Sequence, residues 1–269
     1  MSPSNGPNPD NQKTIGKVFS LSGIGIHSGK NCEIIFRPAP ADSGIYFIYN
    51  GKKFPARADL VSGTSRGTSI AGIQVVEHAL AAINGLGIDN IEIEVSSAEL
   101  PVFDGSALPY LQALKAAGMV ELGKQKKYLT INSPIEINDG SGSLKILPFN
   151  GFKINFMIEF PYIGRQEFCY SEGFEDQIAP ARTFGLFDEL EKLKRRGLAK
   201  GASLDNALAI GKAGYLNPPR FKDEPVRHKI LDLIGDLSLV GRQVKGEIFA
   251  KKSGHKLNIE LSRRLLALC

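Results

Sequence analysis

One strand-and-helix plan runs through this chain twice, and that restart limits its fold more than any other feature. The first series begins with strand signals at residues 17–21 and 32–36, which flank the turn-forming run Ser22-Gly23-Ile24-Gly25-Ile26-His27-Ser28-Gly29. Residues 44–48 read as another strand. Residues 74–84 have helical spacing and stop at Gly85. Residues 91–95 alternate Ile/Glu/Ile/Glu/Val, the pattern of a half-buried strand, and 107–117 read as a second helix ended by Gly118. A charged stretch at 121–127 reads as a link between halves.

The pattern then begins again. Residues 128–137 and 143–147 are predicted strands around Asn138-Asp139-Gly140, 153–160 is a further strand, 225–239 a long amphipathic helix and 244–249 a late strand. In each half a His precedes a Gly by seven residues, His78 before Gly85 and His228 before Gly235. This match fits a duplication and would bring both histidines to one cleft. The expected organisation is a mobile tail at 1–13, an α+β domain at 14–124 with a small insert near 50–68, and a second α+β domain at 125–269. The second domain carries an insert near 185–215, and such inserts often shape binding sites.

Composition excludes several classes. No apolar run is long enough to span a bilayer, so no integral membrane segment is expected. The Ser/Pro/Asn-rich start has no apolar core and does not read as a secretory signal, so a cytoplasmic location is expected. Cys32, Cys169 and Cys269 form neither a disulfide framework nor a thiolate metal site. A net charge of +5 suits an anionic substrate but is too small to argue for nucleic acid. The basic run Lys192 to Arg196 has no interleaved aromatics and reads as a solvated helix face.

Chemistry concentrates around the four histidines. On the helix 225–239, His228, Asp232 and Asp236 follow at one-turn steps and share a face. Imidazole and carboxylate one turn apart can hold a divalent metal, with the further acid free to orient another group. Taken by itself, the run fits an ordinary surface His–Asp pair better than a metal site. Glu77-His78 lies on an apolar helix and by itself fits a solvated Glu beside a core His. His255, in Ser253-Gly254-His255-Lys256-Leu257-Asn258, reads as a residue of a Gly-containing turn, and Ala181-Arg182-Thr183-Phe184-Gly185 is equally open when taken alone.

Together these pieces resemble one family, the UDP-3-O-acyl-N-acetylglucosamine deacetylases, metal-dependent enzymes of lipid A synthesis. The resemblance runs from about Thr14 to Leu266. It is carried by the Gly-rich run at 22–29, Val76-Glu77-His78-Ala79-Leu80-Ala81-Ala82, Gly85-Leu86-Gly87-Ile88-Asp89-Asn90 and Glu99-Leu100-Pro101-Val102-Phe103-Asp104-Gly105-Ser106-Ala107. In the second half it is carried by the 181–185 run, Val226-Arg227-His228-Lys229 with Asp232 and Asp236, and the 253–258 run. Pro225 departs from the pattern, standing where the family usually has an aromatic residue; it is tolerable in a first helical turn.

The resemblance implies a fold of two similar α+β domains, each a sheet with paired helices, packed helix layer to helix layer with the site between them. It implies His78, His228 and Asp232 as ligands of Zn2+, with Fe2+ as the other candidate for such donors. It implies Glu77 as general base, His255 as the imidazolium that protonates the leaving amine, Asp236 as its orienting partner and Thr183 as an oxyanion donor. Lys229 and Phe184 match substrate contacts, His27 a histidine near the site, and Leu198, Ala199, Ser203 and Ala207 a passage for the acyl chain. A long acyl chain buried there would be stabilised by about 0.8 kcal/mol per CH₂. The implied reaction converts a UDP-linked acylated sugar to its free amine plus acetate, with no organic cofactor, and a monomer is expected.

Two rival readings stay in view. A zinc peptidase usually carries an HExxH-type helix, but here Glu77 precedes His78 directly and no second His follows within a turn. A non-enzymatic binding module on the same scaffold would have lost one or more of the matched residues, and all are present.

Overall fold

The computed structural model describes residues 10–269. Most of the expected tail therefore lies outside the described residues, and its last part is a strand. The first half runs through β1 (Asn11–Ile15), β2 (Phe19–Ile24), β3 (Asn31–Pro38), β4 (Ile45–Tyr49) and β5 (Lys52–Pro55). Three short strands follow, β6 (Val61–Gly63), β7 (Ser69–Ile70) and β8 (Ile73–Gln74). Then come α1 (Glu77–Gly85), β9 (Ile91–Val95), α2 (Leu108–Ala116) and β10 (Met119–Gln125). The second half runs through β11 (Tyr128–Thr130), β12 (Ile135–Asn138), β13 (Ser143–Leu147), β14 (Phe152–Phe160), β15 (Gly164–Tyr170) and α3 (Phe174–Gln177). It continues with β16 (Phe184–Leu186), α4 (Leu190–Arg195), β17 (Leu208–Gly211), β18 (Gly214–Tyr215), α5 (Glu224–Leu237), β19 (Gln243–Lys251) and α6 (His255–Leu266).

The two large sheets share one topology. The first has the order β2-β3-β9-β4-β5 and the second β12-β13-β19-β14-β15, with β11 added alongside β19. In each, the central strand is the last to enter the sheet. β9 is antiparallel to β3 and parallel to β4, and β19 is antiparallel to β13 and parallel to β14. A parallel neighbour cannot be reached by a hairpin and needs a crossover. α1 lies on the crossover that ends in β9, and α5 on the one that ends in β19. The alternation in 91–95 does its expected work. Ile91, Ile93 and Val95 are buried, while Glu94 pairs with Arg37 on the neighbouring β3 and Glu92 reaches past β4 to Lys53 on β5.

Four sequence readings need correction. The helix expected from residue 74 starts at Glu77, because Gln74 is held in β8 and Val75 takes a left-handed φ of 58° that no helix continues through. The expected link at 121–127 is largely β10, paired antiparallel with β1. β10 is exposed along almost its whole length, so it carries no apolar alternation to betray it. α5 is not one-sided: all but Arg227 and Lys229 of its 14 residues are buried, because α1, α6 and the second sheet pack around it. His255 is not in a turn but opens α6. Pro225 falls in the first turn of α5, where its missing N–H costs nothing.

Candidate active site

α1 and α5 lie against each other and carry most of the polar side chains that the core encloses at their junction. The His78 and His228 rings meet edge to face with centroids 5.1 Å apart. His228 Nε2 lies 3.3 Å from Asp232 Oδ1, and His78 Nε2 lies 4.0 Å from the same oxygen. Ligand atoms of these three residues all fall within 4.8 Å of one another. In a tetrahedral zinc site with bonds near 2.0 Å, ligand atoms stand roughly 3.3 Å apart.

The donor set fits a metal on two further counts. The buried His78 Nδ1 has no hydrogen-bond partner among the described residues, and His78 Nε2 sits beyond hydrogen-bond reach of Asp232. The Nε2 lone pair is therefore free to bind a cation placed between it and Asp232. His228 Nδ1 lies 3.0 Å from the Ala181 carbonyl, which fixes the proton on that nitrogen and leaves the Nε2 lone pair facing inward. Burial pushes His78 down to about 3, with the neighbouring His228 adding to it, and burial likewise lowers His228. Both rings are therefore neutral, the form that binds metal. Burial opposes the Asp232 charge, but Lys229, at 2.6 Å, and the His255 imidazolium outweigh it and hold the carboxyl well below its ordinary range.

A second cluster adjoins the first. His255 Nδ1 lies 2.9 Å from Asp236 Oδ2, and His255 Nε2 lies 3.8 Å from Glu77 Oε1 and 3.7 Å from Asp232 Oδ2. Burial raises Glu77 to about 7, helped by Asp236 and Asp232 and opposed by His255. Burial would lower His255, but the Asp236, Asp232 and Glu77 carboxylates overcome it and raise the imidazole to about 9. Near neutral pH the two groups stand ready for opposite tasks, Glu77 able to accept a proton and His255 holding one.

These groups open onto a cavity of about 680 Å³. Thr183, Phe184, Lys229, His27, Ala199, Ser203 and Ala207 all line it. Leu198 does not: its N–H closes a turn on the Leu193 carbonyl at 2.9 Å, and the wall is made instead by its neighbour Ala199. The Phe184 ring stands edge-on to His228 at 6.0 Å and to Phe160 at 5.2 Å. His27 Nε2 lies 3.0 Å from the Arg66 carbonyl, and its Nδ1 accepts the Ala199 N–H at 3.4 Å, so it ties the two inserts together.

Sequence reasoning missed three supports. Thr68 touches Glu77, Asp236 and His255 from a segment that read as an insert. Asn258 donates to Asp236 at 2.9 Å from one turn into α6. The buried Arg182–Glu224 pair, 2.8 Å apart, clamps the segment that carries Ala181, just before β16, to the start of α5. The Ala181-Arg182-Thr183 motif marked the place but not the ionic partner 42 positions away.

Residues 12–267 match the family described as UDP-3-O-acyl N-acetylglycosamine deacetylase. The chain belongs to this family. Relatives named UDP-3-O-acyl-N-acetylglucosamine deacetylase include a protein of Anaeromyxobacter sp. (strain Fw109-5), 43% identical over 270 residues, which span 96% of this chain and 89% of the relative. A Myxococcus xanthus (strain DK1622) relative of the same name is 41% identical over 276 residues, 97% of this chain and 88% of its own. One from Xanthomonas campestris pv. campestris (strain B100) is 41% identical over 273 residues, 95% and 90% respectively. The family resemblance read from the motifs is thus matched over nearly the full chain.

Proposed function

We propose that this deacetylase-family member removes the N-acetyl group from UDP-3-O-acyl-N-acetylglucosamine, giving the free amine and acetate in lipid A synthesis. The observation that carries the reading is the meeting of His78 with His228 and Asp232, beside the Glu77–His255 pair, at one cavity wall.

His78, His228 and Asp232 would hold a divalent metal, zinc or ferrous iron. When bound, a divalent cation there lowers the pKa of a water and polarises the amide carbonyl. Glu77 takes the proton of the attacking water through its Oε1, the oxygen that faces His255. His255, kept protonated by the Asp236 contact, faces the same space through Nε2 and delivers its proton to the departing amine. Thr183 stands on the cavity wall as the oxyanion donor, and Lys229 and Phe184 contact the substrate. Ala199, Ser203 and Ala207 offer small side chains to the acyl chain, and His27 braces that wall.

In this reading the halves 14–124 and 125–269 are two similar α+β domains packed helix layer to helix layer. The contact of α1 with α5 supports that arrangement. The protein acts as a cytoplasmic monomer; no helix among the described residues is long and apolar enough to cross a membrane. The test is acetate release from the UDP-linked acylated sugar. Release should stop with a chelator and return with added zinc. A folded, metal-loaded protein that releases no acetate would overturn the reading.

A further inference from the structure

Thr68 is fully buried in the turn between β6 and β7, and it makes three contacts into the catalytic cluster. Its backbone N–H donates to Glu77 Oε2 at 2.9 Å. Its hydroxyl donates to Asp236 Oδ1 at 2.5 Å. The same hydroxyl oxygen lies 3.2 Å from His255 Nδ1. The Thr68 carbonyl also accepts the Val76 N–H at 3.2 Å, which fastens the turn to the entry of α1. Gly67 beside it has a φ of 148°, and a Cβ there would press on Glu77 Oε1 at 3.0 Å.

Each contact settles one degree of freedom. With Oε2 tied to the Thr68 N–H, Glu77 can turn only Oε1 toward His255. Asp236 is completely buried, so both of its oxygens need donors. Oδ2 is served by His255 and Asn258, and Oδ1 by Thr68. Since the hydroxyl spends its only proton on Asp236, its lone pair is what faces His255 Nδ1. That arrangement keeps a hydrogen on Nδ1 in either charge state and aims Nε2 at the cavity.

We propose that Thr68 is a positioning residue for both proton-handling groups, holding Glu77 through its backbone and the Asp236–His255 couple through its hydroxyl. It does not touch the substrate. The catalytic part of this inference rests on the deacetylase reading above, whereas the placement of the His255 proton does not.

Thr68→Val keeps the shape and the N–H but removes the hydroxyl, and Thr68→Ser keeps both. For Thr68→Val, kcat should fall about 10- to 100-fold, the usual loss when a partner behind a catalytic or metal-binding group is removed. Its KM should stay within about twofold, and its metal content should match the parent. In the proton NMR spectrum the His255 Nδ1–H resonance should shift or broaden in Thr68→Val and return in Thr68→Ser, together with kcat. If Thr68→Val does not fold, Thr68→Cys, a weaker donor of similar size, carries the same comparison. Parent-like kcat in Thr68→Val, equal losses in the Val and Ser variants, or an unmoved Nδ1–H resonance would each overturn the proposal. If the parent releases no acetate, the functional reading fails by itself, and the resonance alone decides the placement of Thr68.

Discussion

Gly235 of α5 approaches α1 so closely that a Cβ on it would lie 2.1 Å from the Glu77 carbonyl oxygen. The obstacle is backbone, so no change of rotamer can relieve it. Its counterpart Gly85 is different, since a Cβ there would meet the Phe174 ring at 2.2 Å, and a ring can turn. Gly235→Ala should therefore cost about 3 kcal/mol, the upper part of the usual overpacking range, and Gly85→Ala about 1 kcal/mol. Urea denaturation of the two variants checks the order. A smaller loss for Gly235→Ala than for Gly85→Ala would contradict the close helix contact.

Glu77 and His78 are sequence neighbours for which separate roles are proposed. Glu77→Ala should retain metal and lose about 10²- to 10⁴-fold in turnover, the range for removal of a general base. His78→Ala should instead drop the metal content from about one ion per chain toward none, because two protein ligands hold zinc poorly. Elemental analysis beside an acetate assay distinguishes the two. Full metal occupancy in His78→Ala would remove it from the ligand set.

The rate should depend on pH as a bell. Below about 7 Glu77 takes up a proton and could no longer serve as the proposed base, and above about 9 His255 loses the proton it is proposed to donate. A bound cation adds positive charge beside both groups and moves both limbs downward. Asp236→Asn removes the first of the carboxylates that raise His255 and also one that raises Glu77, so the alkaline limb should shift to lower pH and the acid limb should move down with it. A kcat/KM profile of parent and variant checks this, and an alkaline limb that stays in place would exclude His255 as its source.

Arg182→Met should destabilise the protein by about 3–5 kcal/mol, the cost of breaking a buried ion pair, since Glu224 is completely enclosed and would keep an uncompensated charge. Because Ala181, next in the chain, aligns His228 through its carbonyl, metal affinity should fall too, by about 10- to 100-fold. Calorimetry and metal titration read the two effects separately. A stable variant with normal affinity would show that the clamp does not reach His228.

How much of this was legible in the sequence follows from the range of each interaction. The strand at 91–95 and the two site helices are written in local periodicity, and the ligand-bearing runs carry their order along the chain. β10 was invisible because an exposed strand has no apolar face to alternate. The helix α6 was legible in Leu257, Leu261 and Leu265, one turn apart and all buried, but Gly254 before it reads as a turn. The role of Thr68 could not be read, because its contact with Asp236 spans 168 positions and no local pattern encodes such a pair.

His78 and His228 stand 150 positions apart in the chain. An ion gripped by both would act as a removable cross-link, closing a long loop that the unfolded polypeptide must otherwise close at an entropic cost. By mass action each tenfold rise in free metal above its dissociation constant would add about 1.4 kcal/mol to the folded state. The melting temperature would then become a gauge of how much of that metal surrounds the protein.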